Sequence, residues 1–300
     1  MKAMILAAGY GTRLEPLTHK RPKALMPVAN IAMVNRVIEY LKHHGVKEIV
    51  INAHHLYDQI VWHFRDRASF DIPIHIAVEK EILGTGGGIK NVEDFWDQTP
   101  FIVINVDILT DIDLSAALEA HRRNRALATL VLQSYPQFNQ VRVNSDGHIQ
   151  AFGDRPRPGL LAFTGIHILS KTVLNYIPPG VFHNIIDTYR SIIADRGIVS
   201  SYISKGHYWR DIGTVESYVQ ANKEMLGRQR ILVGKDSVID PTTKLTGWVI
   251  IGSGTVVERN ATLRDSICWE KVRIGKGASI ANSIITRDVA SGEKLTNQTF

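Results

Sequence analysis

Ala3-Met4-Ile5-Leu6-Ala7-Ala8-Gly9-Tyr10-Gly11-Thr12-Arg13-Leu14 runs from an apolar stretch directly into a two-glycine turn. The run Ala3–Ala7 has no polar alternation, which suits a strand buried on both faces, as in parallel sheets. Gly9 and Gly11 let the backbone approach a ligand closely and point amides at phosphate oxygens. On its own the turn is open to two readings, a phosphate-binding loop or a tight structural turn with exposed cations. Leu14 stands where the dinucleotide fingerprint needs a third glycine, and the Gly-Lys-Ser/Thr ending of a P-loop is missing. What distinguishes it is Arg13 and Lys23, two fixed cations delivered by one loop.

Outward from this loop, similar runs return at Glu48–Ala53, Ile74–Val78, Phe101–Asn105 and Ala128–Leu132. Between them Val34, Val37, Ile38 and Leu41 fall at helical spacing and end near Gly45. Leu56–Phe64 and Leu114–His121 repeat the pattern, the second behind Asp113 as N-cap. This alternation predicts an α/β, Rossmann-like, mostly parallel sheet with helices on both faces and ligands at the carboxyl ends of its strands. From about residue 141 the rhythm changes: Val141–Val143 and His148–Phe152 flank Asn144-Ser145-Asp146-Gly147, a hairpin signal, and Leu160–Ile168 reads as a longer strand. Ile185–Arg196 and Val215–Leu226 read as helices. The stretch is expected to be an insertion that supplies a second wall to the site.

Beyond Gly227 a repeat begins. Val233, Ile239, Leu245, Ile251, Val257 and Leu263 are six residues apart, and the phase resumes at Ile274 and Ile280 after an eleven-residue step. A six-residue apolar period followed by small residues, as in Val233-Gly234, Ile251-Gly252 and Ile274-Gly275, predicts a β-helix of hexapeptides whose coils stack into one core. The expected domains are therefore 1–228 and 229–300. The open end of the coil is a free edge, which favours packing on a partner or on the first domain, and a homo-oligomer formed through the coil is expected.

A chain of 300 residues, 44% hydrophobic and 21% charged, is of ordinary globular composition. One cysteine, Cys268, excludes an internal disulfide and a thiolate zinc cage, and a reducing, cytoplasmic setting follows. No apolar run approaches the roughly 18 residues of a membrane span, so no membrane partner is expected. The net charge of +6 is scattered, densest at Arg122, Arg123 and Arg125, and such a mild basic excess suits a small phosphorylated substrate as well as a polynucleotide; with the clustering this weak, no nucleic-acid partner is expected. The adjacent pairs His43-His44 and His54-His55 do not face one way, so no zinc site is expected.

The opening motif Leu-Ala-Ala-Gly-x-Gly-Thr-Arg-Leu-x-Pro-Leu-Thr at 6–18, with Pro22-Lys23-Ala24-Leu25, resembles the sugar-1-phosphate nucleotidyltransferases, or nucleotide-sugar pyrophosphorylases. The likeness continues through Gly84-Thr85-Gly86-Gly87, Asn105-Val106-Asp107, Phe163-Thr164-Gly165-Ile166 and Trp209-Arg210-Asp211-Ile212-Gly213-Thr214. It covers the whole chain, since many members end in a left-handed β-helix. It is closest to the branch of mannose-1-phosphate guanylyltransferases and muramate-phosphate uridylyltransferases. The resemblance implies transfer of a nucleotidyl group from an NTP to a sugar 1-phosphate, with release of pyrophosphate. GTP with mannose 1-phosphate or a related hexose or heptose phosphate is the first expectation, and UTP the second.

By the same resemblance Arg13 holds the departing pyrophosphate, Lys23 the phosphates at the reacting centre, and Asp107 and Asp211 share Mg²⁺. Leu6, Ala8, Gly9, Gly11, Thr12, Gly84, Thr85, Gly86 and Gly87 are expected at the nucleotide, with the amides of the second glycine group against a base or ribose. Glu79, Thr164 and Gly165 are expected at the sugar. From the residues alone, Asp107 ends a buried run at the carboxyl edge of the sheet, where a hard cation needs one or two carboxylates, whereas Asp211 reads equally as a metal ligand or as a turn or N-cap residue. Two positions depart from the family pattern. Val106 replaces the usual glycine of Asn-Gly-Asp, and Gly153-Asp154-Arg155-Pro156 lacks the lysine that commonly grips the sugar phosphate, leaving Arg155 as the expected substitute. A non-catalytic sugar-nucleotide sensor is the alternative class, and the presence of Arg13, Lys23, Asp107 and Asp211 argues against it. An acyltransferase acting through the coil would need a catalytic His, and residues 231–300 contain none.

Overall fold

The computed structural model describes residues 1–65 and 70–300. It divides into two compact units, one of Met1–Tyr10, Pro22–Ala24 and Val34–Asp211, the other of Gly11–Arg21, Leu25–Met33 and Ile212–Phe300. In chain order the elements are β1 (Lys2–Leu6), a short hairpin of β2 (Pro27–Val28) and β3 (Ile31–Ala32), α1 (Met33–His43), β4 (Glu48–Ala53), α2 (Tyr57–His63), β5 (Ile74–Val78) and α3 (Gly84–Asn91). Next come β6 (Phe101–Asn105), β7 (Ile108–Thr110), α4 (Leu114–Asn124), β8 (Ala128–Gln133), β9 (Asn139–Val143), β10 (Ile149–Phe152) and β11 (Leu161–Leu169). α5 (Ile185–Ala194), β12 (Val199–Ile203), β13 (Trp209–Asp211) and α6 (Val215–Leu226) precede the coil strands. The apolar runs expected to be strands are strands, and Asp113 caps α4 by accepting from the amides of Ser115 and Ala116.

Nine strands of the first unit form one sheet. β5, β4, β1 and β6 are parallel neighbours, β12 is parallel to β8, and β11 lies antiparallel between β6 and β8. Alternate residues cover both faces. Met4, Val50 and Val103 pack with Ile89 of α3 and Tyr189 of α5, and Ala3, Ile5, Ile49, Ile51, Ile102 and Ile104, pointing the other way, are buried too. The stretch after residue 141 is not an insertion. β9 and β10 form the expected hairpin, but β9 pairs with β11, and β11 is an internal strand of the main sheet.

Two histidines of this unit are buried and held neutral. His121, with Nδ1 3.0 Å from Thr129 Oγ1 and Nε2 3.1 Å from Ser170 Oγ, has its pKa pushed down to about 4 by burial and secondarily by Arg122. His167, bonded to the Tyr189 hydroxyl, is pushed down to about 3 by burial. In the unfolded chain both protonate near pH 6.5, so below that pH the unfolded state binds more protons. Their contribution is present above about pH 6.5 and is lost as pH falls toward the folded values. The urea midpoint is therefore expected to fall steadily from pH 7 to pH 4.5, with a shallower slope in His121→Gln; equal slopes in the two proteins would refute the assignment.

In the second unit the coil strands are β14 (Ile231–Val233), β15 (Val238–Ile239), β16 (Lys244–Ile251), β17 (Val256–Val257), β18 (Thr262–Cys268), β19 (Arg273–Ile274), β20 (Ser279–Ala281), β21 (Ile284–Ile285) and β22 (Lys294–Thr296). They pair in parallel, Leu245 with Leu263, Leu263 with Ile280 and Ile280 with Leu295, an arrangement that fits a β-helix. Of the six-residue series, Ile251, Val257, Leu263, Ile274 and Ile280 share one core, whereas Val233, on the first strand, is 42% exposed. The glycines behind that series are the stacking points: a Cβ on Gly252 would lie 2.3 Å from the Glu270 nitrogen, and one on Gly275 2.5 Å from the Ser291 nitrogen. Cys268 is buried in the same core, and burial pushes its thiol up to about 12, which leaves it unreactive.

The segments Gly11–Arg21 and Leu25–Met33 are tied to this coil. Arg21 pairs with Glu270 and lies 4.4 Å from the centre of a Trp269 ring. The Tyr218 hydroxyl accepts from the Trp269 indole at 2.9 Å and donates to the Pro27 carbonyl at 2.6 Å. No described helix is long and apolar enough to cross a membrane.

Candidate active site

β6 delivers Asn105, Val106 and Asp107 to the carboxyl end of the sheet, with the Val106 amide still donating to the Leu6 carbonyl at 3.1 Å. The Lys23 ammonium donates to Asp107 Oδ2, and both side chains are largely buried. Asp107 Oδ1 is also buried and has no hydrogen-bond partner among the described residues. A buried carboxylate oxygen without a donor is costly unless a cation or substrate group meets it. β7 follows at once and pairs with β13, placing Asp211 opposite Ile108, the neighbour of Asp107. Asp211 is thus a strand residue, and the helix cap is Thr214, in a capping box with Ser217. Among the described residues no three or more His, Cys, Asp or Glu side chains group to hold a metal. Two carboxylates suit a hard divalent ion that keeps its waters and completes its shell with substrate phosphates.

Beside Asp211 lies a cavity of 290 Å³, and strand pairing creates it. β6 pairs with β11 at Ile166–Leu169 and β9 pairs with it at Leu161 and Ala162. Because β8 occupies the opposite edge at both places, β6 and β9 share one edge and part around Phe163, Thr164 and Gly165. The Trp209 indole donates to the Thr164 carbonyl within this gap, at 2.9 Å. Gly165 has φ of 76°, and a Cβ there would lie 2.8 Å from Asn105 Nδ2, so this position needs glycine on two counts. Asn105, Gly165, Trp209 and Asp211 line one side, with Gln140, Phe152, Gly153 and Arg190 also in the wall.

Several expected contacts have other partners in the fold. Glu79 is 3% exposed, with Oε1 accepting from Asn52 Nδ2 at 2.7 Å and Oε2 from the Leu83 amide at 3.0 Å, so its oxygens are spent inside the protein. The amides of Gly86 and Gly87 donate to the His183 carbonyl and not outward, while Thr85 Oγ1 accepts from the Ile185 amide at 3.0 Å. Side chains at Gly84, Gly86 and Gly87 would collide with Val181–Ile185, so these glycines serve close packing. Thr164 lines the cavity, but its hydroxyl donates to the Val131 carbonyl at 2.8 Å. Arg155 is exposed and outside the cavity wall; the guanidinium there belongs to Arg190.

Gly9 keeps open space where a side chain would be, and Gly11 is left-handed with φ of 69°, opening the short turn Thr12–Leu14. Arg13 is exposed and makes no ion pair among the described residues. Sequence reasoning passed over Asn52, whose Oδ1 accepts from the Ala7 amide at 2.7 Å and so ties the start of the glycine loop to Glu79. A polar residue inside the apolar run of β4 was the signal available for it.

The nucleotidyl transferase family profile matches residues 2–228. The UTP–glucose-1-phosphate uridylyltransferase of Synechocystis sp. is 28% identical over 95% of this chain and 87% of its own length. The mannose-1-phosphate guanyltransferase of Yarrowia lipolytica is 30% identical over 96% of this chain and 91% of its own. A crystal structure of a putative glucose-1-phosphate thymidylyltransferase from Bacillus anthracis superposes with a TM-score of 0.67 at 26% identity, covering 76% of this chain and 96% of that one. With the Lys23–Asp107 pair, the cavity lined by Asp211 and a match across the sheet and beyond, the chain belongs to the nucleotidyl transferase family, as a sugar-1-phosphate nucleotidyltransferase.

Proposed function

We propose that this enzyme transfers a guanylyl group from GTP to mannose 1-phosphate or a related hexose or heptose 1-phosphate, with UTP as the alternative donor. An acceptor phosphate oxygen attacks the α-phosphorus of the NTP, the bond to the β-phosphate oxygen breaks, and pyrophosphate leaves. The attacking oxygen is already ionised at pH 7, so no general base is needed, and the protein's task is alignment and charge neutralisation. Enzymes of this family work with a divalent metal, for which Mg²⁺ is proposed here; held by Asp107 and Asp211, it supplies charge neutralisation at the phosphates. Lys23 is assigned to the phosphates at the reacting centre and Arg13 to the departing pyrophosphate. Gly9, Gly11 and Thr12 are assigned to the nucleotide, and Gly165 to the sugar.

The observation that carries this reading is the orphaned Asp107 Oδ1 next to a lysine, one residue from the strand pair that brings in Asp211. The reading also places the catalytic domain at 1–228 and a left-handed β-helix at 229–300, in a cytoplasmic homo-oligomer assembled through the coil. Pyrophosphate release across GTP and UTP with a panel of sugar 1-phosphates tests it. Highest turnover is expected with GTP and a mannose-type acceptor, and none in excess EDTA. Absence of pyrophosphate with every pair would overturn the assignment.

A further inference from the structure

We propose that Arg190, on helix α5, is the residue that holds the phosphate of the acceptor sugar. This rests on the reading of the enzyme as a sugar-1-phosphate nucleotidyltransferase and goes beyond it by assigning a residue outside every motif of the sequence.

An acceptor of this class carries one obligatory anion, its phosphate, and a cavity that receives it needs a matching cation. The hairpin β9–β10 does not supply one. Gly153 lines the cavity without a side chain, and Asp154 and Arg155 are exposed outside its wall. Lys23, paired with Asp107 at the reacting centre, is not in the wall of this cavity. The cavity wall contains two charged side chains among the described residues, Asp211 and Arg190. Asp211 repels a phosphate unless a cation intervenes, so direct attraction falls to Arg190.

Arg190 is also built to be steered. Its Nη1 donates to Asp187 Oδ1, one turn earlier on the same helix, at 2.9 Å. That leaves the other guanidinium N–H groups for a second partner, and a planar fork fixed on one side suits bidentate contact with phosphate. Ile186 and Tyr189, its neighbours on α5, hold the helix against the sheet: Ile186 packs on the core and Tyr189 is fully buried within it. Both partners of the Arg190–Asp187 pair are about half exposed, at 52% and 53%, so the pair contributes little to stability and its loss should spare the fold.

The test is a comparison of Arg190→Ala, Arg190→Lys and Arg155→Ala in steady-state kinetics and in calorimetric binding of the acceptor. Arg190→Ala is expected to raise KM for the sugar 1-phosphate roughly 10–100-fold while KM for the NTP moves less than about threefold. Millimolar guanidinium ion should recover part of the loss, Arg190→Lys should fall between, and Arg155→Ala should match wild type. Calorimetry should show that wild type distinguishes sugar 1-phosphate from the free sugar and that Arg190→Ala does not. Unchanged acceptor KM, equal losses for both substrates, or a loss in Arg155→Ala in place of Arg190→Ala would overturn the proposal. If wild type turns over no sugar 1-phosphate, the nucleotidyl-transfer reading fails separately, and the calorimetric comparison still decides whether Arg190 senses the phosphate.

Discussion

Asp107→Asn is expected to lower kcat by about 10³-fold or more while the protein stays folded. The substitution keeps the shape of the side chain, and its carbonyl oxygen still accepts from Lys23, so the hydrogen bond across the site survives. What disappears is the negative charge at a position where one oxygen of the carboxylate is buried without a donor. Charge placed for the transition state in a water-poor site typically contributes several kcal/mol, more than a neutral amide supplies. The Lys23 ammonium would also lose its counter-charge. Initial rates over a Mg²⁺ titration, with circular dichroism to confirm the fold, measure the effect. Near-normal Mg²⁺-dependent turnover would remove Asp107 from the metal site.

The second large effect separates the two cations of the first loop. Arg13→Ala and Lys23→Ala are each expected to reduce kcat/KM roughly 10²–10³-fold, by comparison with removal of one charge-stabilising donor. Their effects on binding should differ. If Arg13 meets the phosphates that leave, NTP affinity falls in Arg13→Ala while affinity for the NDP-sugar product, which lacks the γ-phosphate, is largely kept. If Lys23 meets the reacting phosphates, product affinity falls together with rate. Titration of both variants with NTP and with NDP-sugar reads this directly, and equal losses for both ligands in both variants would show a single undivided positive field.

Much of the sheet was legible because its strands are short, continuous apolar runs: Glu48–Ala53, Ile74–Val78 and Phe101–Asn105 have the bounds expected from pattern alone. Asp107 was legible for the same reason, since it sits just past such a run. β7 and β13 were not, because three residues are too few for periodicity to show, and that ribbon is what removes the N-cap reading of Asp211. The segment after residue 141 was misread as an insertion because β11 finds β6 some sixty residues back, a pairing that no local signal encodes. The internal partners of Glu79 and of the Gly86 and Gly87 amides, Asn52 and the His183 carbonyl, were not legible because they are remote in sequence. Arg190 belongs to no motif, and helical periodicity places it on a polar face like any solvated arginine.

β9 meets β11 at only two residue positions, Leu161 and Ala162, whereas β6 meets it at four, Ile166 to Leu169. The hairpin wall is therefore joined to β11 by the shorter ladder, while Val141 and Ile149 seat it in the core. Gln140, Val141, Phe152 and Gly153 of this hairpin line the cavity, so trading the side chains of β9 and β10 would reshape it while Asn105 and Asp107 stay where β6 puts them. By the proposal above, sugar shape and phosphate contact are thereby divided between two elements, the hairpin for the first and Arg190 of α5 for the second.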